Sequence, residues 1–347
     1  MRGLRILAFG LACSLVAIPA MAASSSHATT PKHSTAKQIR AQQIARNKAL
    51  TGFQRDLVSV LATRVDAQHL LGAALLARPL ADQPVVDNFR TLITRAAQAS
   101  DAGPAVTWAQ LSDCDRKAET CPNAKALEHL TTQAPDNAAV WLLKLGQDVR
   151  NMRKKDALAD LAHAANAKLY DDYAGISLKA LANAVATLPP PAATIDPSAK
   201  AGAAGVQVMI AYGLAAAQPQ PALRVVAGLC KDKSDEPGVK ADCLKLGQLL
   251  QWGSSPLSRS LGLYLSATFG NDPSQQQSLH DARRDLVWQV QNFAELAIHA
   301  QDDPAEAIHL LMLARNGGTQ MSLMLAALRD AGIPTEAPAG WKPKAAE

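Results

Sequence analysis

The stretch that decides the fold is residues 135–164, which read PDNAAVWLLKLGQDVRNMRKKDALADLAHA. Its first three residues form a turn signature, because proline fixes φ near the helical value and Asp or Asn can cap a following helix. An apolar run follows at 138–143. A charged stretch separates that run from residues 157–165, where apolar side chains recur at helical spacing. Residues 135–164 therefore predict two antiparallel helices joined by a turn.

An echo of this hairpin lies upstream. Trp141 follows Trp108 by 33 residues, and each tryptophan follows a short run that contains Ala and Val. The sequence DALADL at 156–161 parallels KALEHL at 125–130 with an offset of 31. The two-residue difference falls between the helices, where a longer loop costs little entropy. Repeats of about 33 or 34 residues with two helices each are typical of stacked helical solenoids. The alternative is a chance echo within an ordinary Ala-rich helical domain.

Residues 104–172 resemble the tetratricopeptide repeat. That family has a tryptophan early in its first helix, small alanines in its second helix and a proline before the next repeat. The positions that define the repeat here are Trp108, Leu130, Pro135, Trp141, Ala157, Leu161 and Ala164. The chain departs from the family where Lys144, Leu145 and Asp148 stand in place of its Leu-Gly pair and later tyrosine. The resemblance implies an array of antiparallel helical hairpins, an α-solenoid that is regular or irregular.

Composition predicts an all-α fold with no sheet. Hydrophobic residues make up 48% of the chain but aromatic residues only 4%, so we expect a core built largely of Ala and Leu. Alanine favours helix, and no convincing alternation of Val, Ile, Thr and aromatic residues predicts a strand. Predicted helices outside the repeat include 85–98, 203–217, 220–230, 240–252, 256–269, 275–300, 304–315 and 319–331.

The chain divides into six predicted segments. They are a secretory signal peptide at 1–22, a disordered spacer at 23–36, a helical repeat region at 37–188, a Pro-rich linker or loop at 189–202, a second helical region at 203–334 and a loose tail at 335–347. The prolines at 189–191 make the strongest break, because three in a row cannot sit inside a helix. Helices resume at once with similar composition, which favours one continuous array over two lobes.

The N-terminus predicts export. Arg2 and Arg5 precede an apolar run of about 15 residues, and AMA at 20–22 matches the small-x-small cleavage rule. The run is shorter than the roughly 20 residues that span a bilayer, which argues against a retained anchor. Lipidation at Cys13 is a further alternative, although the residues before it make a poor lipobox. The signal and the Ala-rich composition indicate the periplasm of a Gram-negative bacterium, with secretion beyond it as the alternative.

Four cysteines remain once the predicted signal is removed, and they are Cys114, Cys121, Cys230 and Cys243. An even count in an exported chain predicts disulfides. Of the three pairings, we favour Cys114–Cys121 with Cys230–Cys243, because each pair brackets a polar, turn-rich loop. A metal or redox site is the alternative, but the chain has no C-x-x-C and no histidine close to these cysteines.

The charge balance limits the classes of partner. The net charge of +5 falls to +3 without the predicted signal, which carries two arginines and no acid. A nearly neutral chain is not expected to bind nucleic acid. Residues 37–55 carry five basic side chains and no acid. They predict either a solvated first helix or, at most, a peripheral contact with anionic lipid or cell wall.

The sequence contains no catalytic, cofactor-binding or metal-binding motif such as H-E-x-x-H, G-x-S-x-G or a Walker loop. The best candidate for chemistry is YDDY at 170–173 with Asp156 and Asp160, because adjacent acids can bind a cation or exchange protons. The alternative is a helix cap with solvated acids. We therefore predict an exported scaffold without enzymatic activity or cofactor that binds a protein or peptide. An envelope enzyme with a dispersed site that acts on cell-wall material, and a purely structural or stress protein, stay open as alternatives.

Overall fold

The computed structural model describes residues 36–114 and 122–343. These residues form fifteen α-helices and two short 3₁₀ helices, and neither range contains a β-strand, so the predicted all-α fold is confirmed. The chain divides into two compact units between residues 41 and 42. The described part of the first unit is residues 36–41, and the second unit begins at Gln42. The predicted signal peptide and all but the last residue of the predicted spacer lie outside the described residues.

The helices, numbered in chain order, are α1 Ala36–Leu61, α2 Ala67–Ala77, α3 Phe89–Gln98, α4 Pro104–Gln110, α5 Ala124–Gln133, α6 Ala138–Arg150, α7 Lys154–Asn166, α8 Ala174–Val185, α9 Gly202–Ala215, α10 Leu223–Asp232, α11 Val239–Leu250, α12 Pro256–Phe269, α13 Pro273–His299, α14 Pro304–Asn316 and α15 Gln320–Asp330. The 3₁₀ helices are Val85–Asp87 and Ala192–Thr194. None of the described helices combines the length and apolar character that crossing a membrane requires.

Capping side chains set many of the helix starts. Asn137 and Asp303 accept hydrogen bonds from main-chain N–H groups in the first turns of α6 and α14. The helix predicted at 85–98 begins only at Phe89, because Asn88 Oδ1 accepts a hydrogen bond of 2.9 Å from Thr91 N and caps α3 at that point. The residues before that cap form the first 3₁₀ helix instead.

Apolar side chains of the second unit collect in three buried clusters. The largest combines residues of α1–α4, α8, α9, α14 and α15. The second joins α4–α7 to α10–α12, and a smaller third cluster joins α12, α13 and α15. Alanine and leucine dominate the first two, as the low aromatic content predicts, and the third is built of leucine and methionine. Trp108 and Phe53 are the largest fully buried side chains among the described residues.

Helices from both sides of the Pro-rich segment pack together. Helix α7 contacts α11, and α8 contacts both α9 and α14. Within 189–202 the helical residues are Ala192–Thr194 and Gly202, the first residue of α9. The segment therefore connects helices that share one core, because α8 before it and α9 after it belong to the same apolar cluster.

The two repeat-like units occupy α4–α7, and their tryptophans have different surroundings. Trp108 is fully buried, and its indole Nε1 donates to the carbonyl of Pro219 at 3.1 Å. Trp141 is half-buried and its Nε1 donates to the carbonyl of Pro135 at 2.7 Å, while its ring stacks on His163 with 4.2 Å between centroids. Of the remaining repeat-defining residues, Pro135 is exposed, whereas Leu130, Ala157, Leu161 and Ala164 are fully buried. The tetratricopeptide-like identification stays a prediction.

The beginning of the tail that we expected to be loose lies against α13. The indole Nε1 of Trp288 donates to the carbonyl of Pro334 at 2.8 Å. The ring of Trp341 meets the ring of Trp288 edge-on, with 5.4 Å between the centroids. Residues 334–341 are therefore docked on α13 by three hydrogen bonds and an aromatic contact, while residues 344–347 lie outside the described residues.

Candidate functional site

The structure separates the acidic residues that the sequence suggested as one group. Asp160 is buried between α6 and α7, with 2% of its surface exposed. Residues 170–173 lie in the segment that leads into α8. The side chain of Asp156 is exposed on α7, with its Oδ2 3.8 Å from Nε of Arg153. The predicted cluster is therefore two separate arrangements and one surface carboxylate.

The first arrangement is a buried charge cluster between α6 and α7. Lys144 Nζ donates to Asp148 Oδ2 at 3.0 Å and to Asp160 Oδ1 at 2.8 Å, and Arg153 donates to Asp148. Burial raises the pKa of Asp160 to about 6, although the hydrogen bond from Lys144 opposes the shift. Burial also acts on Asp148, but hydrogen bonds from Lys144 and Arg153 hold its pKa below the usual range. The cluster joins the two helices and contains a carboxyl group that titrates near neutral pH.

The second arrangement ties residues 170–173 to neighbouring loops. Asn137 Nδ2 donates to the carbonyl of Asp171 at 2.7 Å, and the Asp171 N–H donates back to Asn137 Oδ1 at 2.9 Å. Ser254 Oγ donates to Asp172 Oδ1 at 3.1 Å. These contacts hold together the N-terminal ends of α6, α8 and α12, so the two acids serve the architecture of the helix ends. Within the described ranges, no group of three His, Cys, Asp or Glu side chains could hold a metal ion.

The disulfide between Cys230 and Cys243 is confirmed. It links α10 to α11 with 5.9 Å between the Cα atoms, and both residues are fully buried. Cys121 lies outside the described residues, so the pairing of Cys114 with Cys121 stays a prediction.

Two side chains of the basic segment 37–55 are engaged within the protein. Arg46 forms an ion pair with Asp196, and Arg55 Nη2 donates to the carbonyl of Ala81 at 3.2 Å. They hold α1 of the second unit to neighbouring loops, and a peripheral contact of this segment with lipid or cell wall stays a prediction.

A cavity that the sequence did not predict lies where α4, α6 and α10 meet. Its volume is about 310 Å³, and its walls include Leu111 after α4 and Leu143 of α6. Gly146 allows α6 to approach Ala222 closely at one side of the cavity, because a Cβ on residue 146 would lie 2.6 Å from Cβ of Ala222. Ala222 is the N-cap of α10 and also lines the cavity.

Gln218 is the polar residue of this cavity that stands out. It lies between α9 and α10, is 4% exposed, and neither Nε2 nor Oε1 of its amide has a hydrogen-bond partner among the described residues. An unpaired buried amide costs about 1–3 kcal/mol. The segment that carries it is fixed, because the next residue, Pro219, accepts the hydrogen bond from Trp108. Gln218 therefore brings to the lining of the cavity one donor and one acceptor that no described residue satisfies.

The rim of the cavity is basic. Arg150, at the end of α6, is exposed and its guanidinium makes no hydrogen bond or ion pair with another described residue. Ser112 also lines the cavity, and its Oγ lies 3.5 Å from Nη1 of the half-buried Arg78. A second cavity of about 310 Å³ lies between α1 and α9, but no buried unpaired polar atom lines it. The cavity beside Gln218 is therefore the candidate site.

The sequence carries little signal for this site. Gln218 stands in the string AQPQP at 217–221, which marks only a break between two helices. Neither its burial nor its lack of a partner follows from local pattern, because both depend on how α4, α6 and α10 meet. No protein-family model, curated protein or solved structure matches this chain.

Proposed function

We propose that this chain is an exported helical scaffold without enzymatic activity, and that it binds an extended peptide segment of a partner protein in the cavity beside Gln218. The observation that carries this proposal is the buried amide of Gln218, whose donor and acceptor are both unpaired among the described residues. A ligand that supplies a matching acceptor and donor removes the cost of that burial.

The protein itself contains an example of the expected contact. The amide of Asn137 pairs with both the N–H and the C=O of Asp171, so one side-chain amide binds the main chain through a donor and an acceptor. Gln218, which lines the cavity, carries the same two groups, and both are unpaired among the described residues. An extended peptide offers main-chain N–H and C=O groups along its whole length, which makes it a natural ligand for such an amide.

The size and the walls of the cavity favour a short stretch of extended chain. A volume of about 310 Å³ is at the lower end of ligand pockets, which typically span about 300–1,000 Å³. Leu111 and Leu143 give it apolar walls that can cover an aliphatic side chain next to the bound peptide unit. A whole helix would not enter a space of this size.

The proposed location outside the cytosol is supported by the buried Cys230–Cys243 disulfide. Structural disulfides persist in oxidising compartments and are rare in the reducing cytosol. The predicted signal peptide at 1–22 gives the route, and the periplasm is the proposed destination.

A displayed library of random peptides tests the proposal. The full chain is immobilised, bound peptides are selected, and their affinities are measured by calorimetry for the wild type and for Gln218→Met. Methionine keeps the length of the side chain and removes both hydrogen-bonding groups. We expect binding to weaken at least about tenfold, the effect of losing roughly 1.4 kcal/mol.

Gln98→Met is the matched control, because Gln98 is exposed on α3 and remote from the lining of the cavity. It should leave every affinity unchanged. Selected peptides that bind equally well to Gln218→Met and to the wild type would rule out the cavity as the peptide site. A library that yields no binder above an unrelated control protein would end the proposal as a whole.

A further inference from the structure

We infer that the cavity beside Gln218 recognises a carboxylate adjacent to a peptide bond, supplied by an acidic side chain or by the C-terminus of a chain. This inference rests on the proposed peptide binding and names the chemistry of the peptide. It is carried by three other groups at the same cavity, each of which is cationic or positively polarised.

The first of these groups is the guanidinium of Arg150. Arginine presents several N–H donors in a planar fork that matches a carboxylate. Arg150 lines the cavity, and its guanidinium has no carboxylate partner among the described residues. Its charge is therefore available to an anion that enters.

The second group is the N-terminus of α10. This helix has ten residues, its N-cap is Ala222, and no side chain caps it. The first N–H groups of a helix are left without partners inside the helix, and the helix dipole makes this end favourable for anions. The N–H of Leu223 donates to the carbonyl of Pro221 at 2.8 Å. Ala222 and Gln218 both line the cavity, so the N-terminus of α10 adjoins it.

The third group is Ser112 with Arg78 behind it. Nη2 of Arg78 donates to the carbonyl of Leu214 at 3.3 Å, and Nη1 lies 3.5 Å from Ser112 Oγ. This arrangement leaves the hydroxyl proton of Ser112 free to be donated to a ligand oxygen. It also brings a second guanidinium close to the cavity. No Asp or Glu is among the described residues that line the cavity, so nothing in that lining balances these charges.

The peptide unit and the carboxylate must be neighbours in the ligand. Gln218 and Ala222 belong to one five-residue segment, and both face a space of only about 310 Å³. A peptide unit held by Gln218 therefore leaves room for a carboxylate within about one residue of it. This requirement is met by Asp or Glu next to the bound peptide unit and by the terminal carboxylate of a chain.

Three small probes test the inference by NMR titration of the full chain, with the side-chain amide signals of Gln218 as the reporter. The probes are N-acetyl-Asp-Ala-amide, N-acetyl-Ala-Ala with a free carboxylate, and the neutral N-acetyl-Asn-Ala-amide. We expect at least one acidic probe to bind about tenfold or more tightly than the neutral probe, since hydrogen bonds to charged groups are stronger than neutral ones. The acidic probe that binds identifies whether the carboxylate comes from a side chain or from a chain end.

Arg150→Gln should remove the preference for the acidic probe, while Arg283→Gln, on the exposed face of α13, should leave it intact. Equal binding of the acidic and neutral probes would overturn the carboxylate inference and leave the proposed peptide binding standing. If no probe moves the Gln218 signals at millimolar concentration, the carboxylate inference also falls. The proposed function then depends on the library selection, which is an independent measurement.

Discussion

Asn137 and Asp171 form a closed pair of hydrogen bonds between a side-chain amide and a main chain that are 34 residues apart. The same Asn137 side chain also accepts from Ala139 N at 3.1 Å and so caps α6. This one residue therefore starts α6 and fastens it to the segment that leads into α8. Because Asn137 is only 3% exposed, water does not compensate when these bonds are lost.

We expect Asn137→Ala to lower the free energy of unfolding by about 2–4 kcal/mol, because it removes a helix cap and leaves both main-chain groups of Asp171 without their partners. Asn88→Ala is the control, since Asn88 caps α3 and has no comparable bond to a distant loop. That change should cost about 1 kcal/mol. Urea unfolding of both variants makes the comparison, and equal losses would show that the Asn137–Asp171 pair contributes nothing beyond capping.

The buried carboxyl of Asp160 should make stability depend on pH. Its pKa is about 6 in the folded protein, above the value of 3.8 for an unperturbed Asp, so the folded state binds more protons between these values. The contribution of this group to stability is therefore full below about pH 4, falls as the pH rises towards 6, and is lost above that. Asp160→Asn should remove this dependence and gain roughly 1–3 kcal/mol relative to the wild type between pH 4 and pH 7.

Urea unfolding at several pH values measures the difference between Asp160→Asn and the wild type. Asp156→Asn is the control, because that carboxylate is exposed on the same helix and should give a curve parallel to the wild type. A constant difference between Asp160→Asn and the wild type across this range would show that Asp160 titrates normally.

The Cys230–Cys243 disulfide links two residues that are 13 positions apart in sequence, and loop-closure entropy assigns about 3 kcal/mol to a bridge of this span. Cys230→Ala/Cys243→Ala should therefore lose about 2–3 kcal/mol in urea unfolding. If the variant unfolds at the same urea concentration as the wild type, the bridge does not stabilise the folded protein by constraining the unfolded chain.

Local patterns predicted the helices, while tertiary contacts decided what the patterns missed. The predicted helix 256–269 agrees with α12 because Pro256 and Gly270 mark both ends in the sequence. Capping by Asn88 moved the start of α3 to residue 89. The docking of Trp341 on Trp288 could not be foreseen, since both partners lie in segments without a shared pattern.

The candidate site was even less accessible from the sequence. YDDY at 170–173 was a visible acidic motif, but the structure uses it to join helix ends through Asn137 and Ser254. Gln218 carries no motif at all, and its importance comes from burial without a partner. A buried unpaired amide depends on the distances between three helices that are far apart in sequence, so local propensity holds no information about it.

Gln218→Met should make the free protein more stable. The wild-type amide is buried with no hydrogen-bond partner among the described residues, whereas a thioether of similar length needs none. We expect a gain of about 1 kcal/mol in the free energy of unfolding, while the surface variant Gln98→Met should stay within about 0.5 kcal/mol of the wild type. Thermal unfolding without peptide measures both.

A loss of stability in Gln218→Met would mean that the amide is satisfied within the folded chain, and the argument for a peptide at this position would lose its basis. A gain combined with weaker peptide binding would show that the chain gives up stability at Gln218 in order to bind.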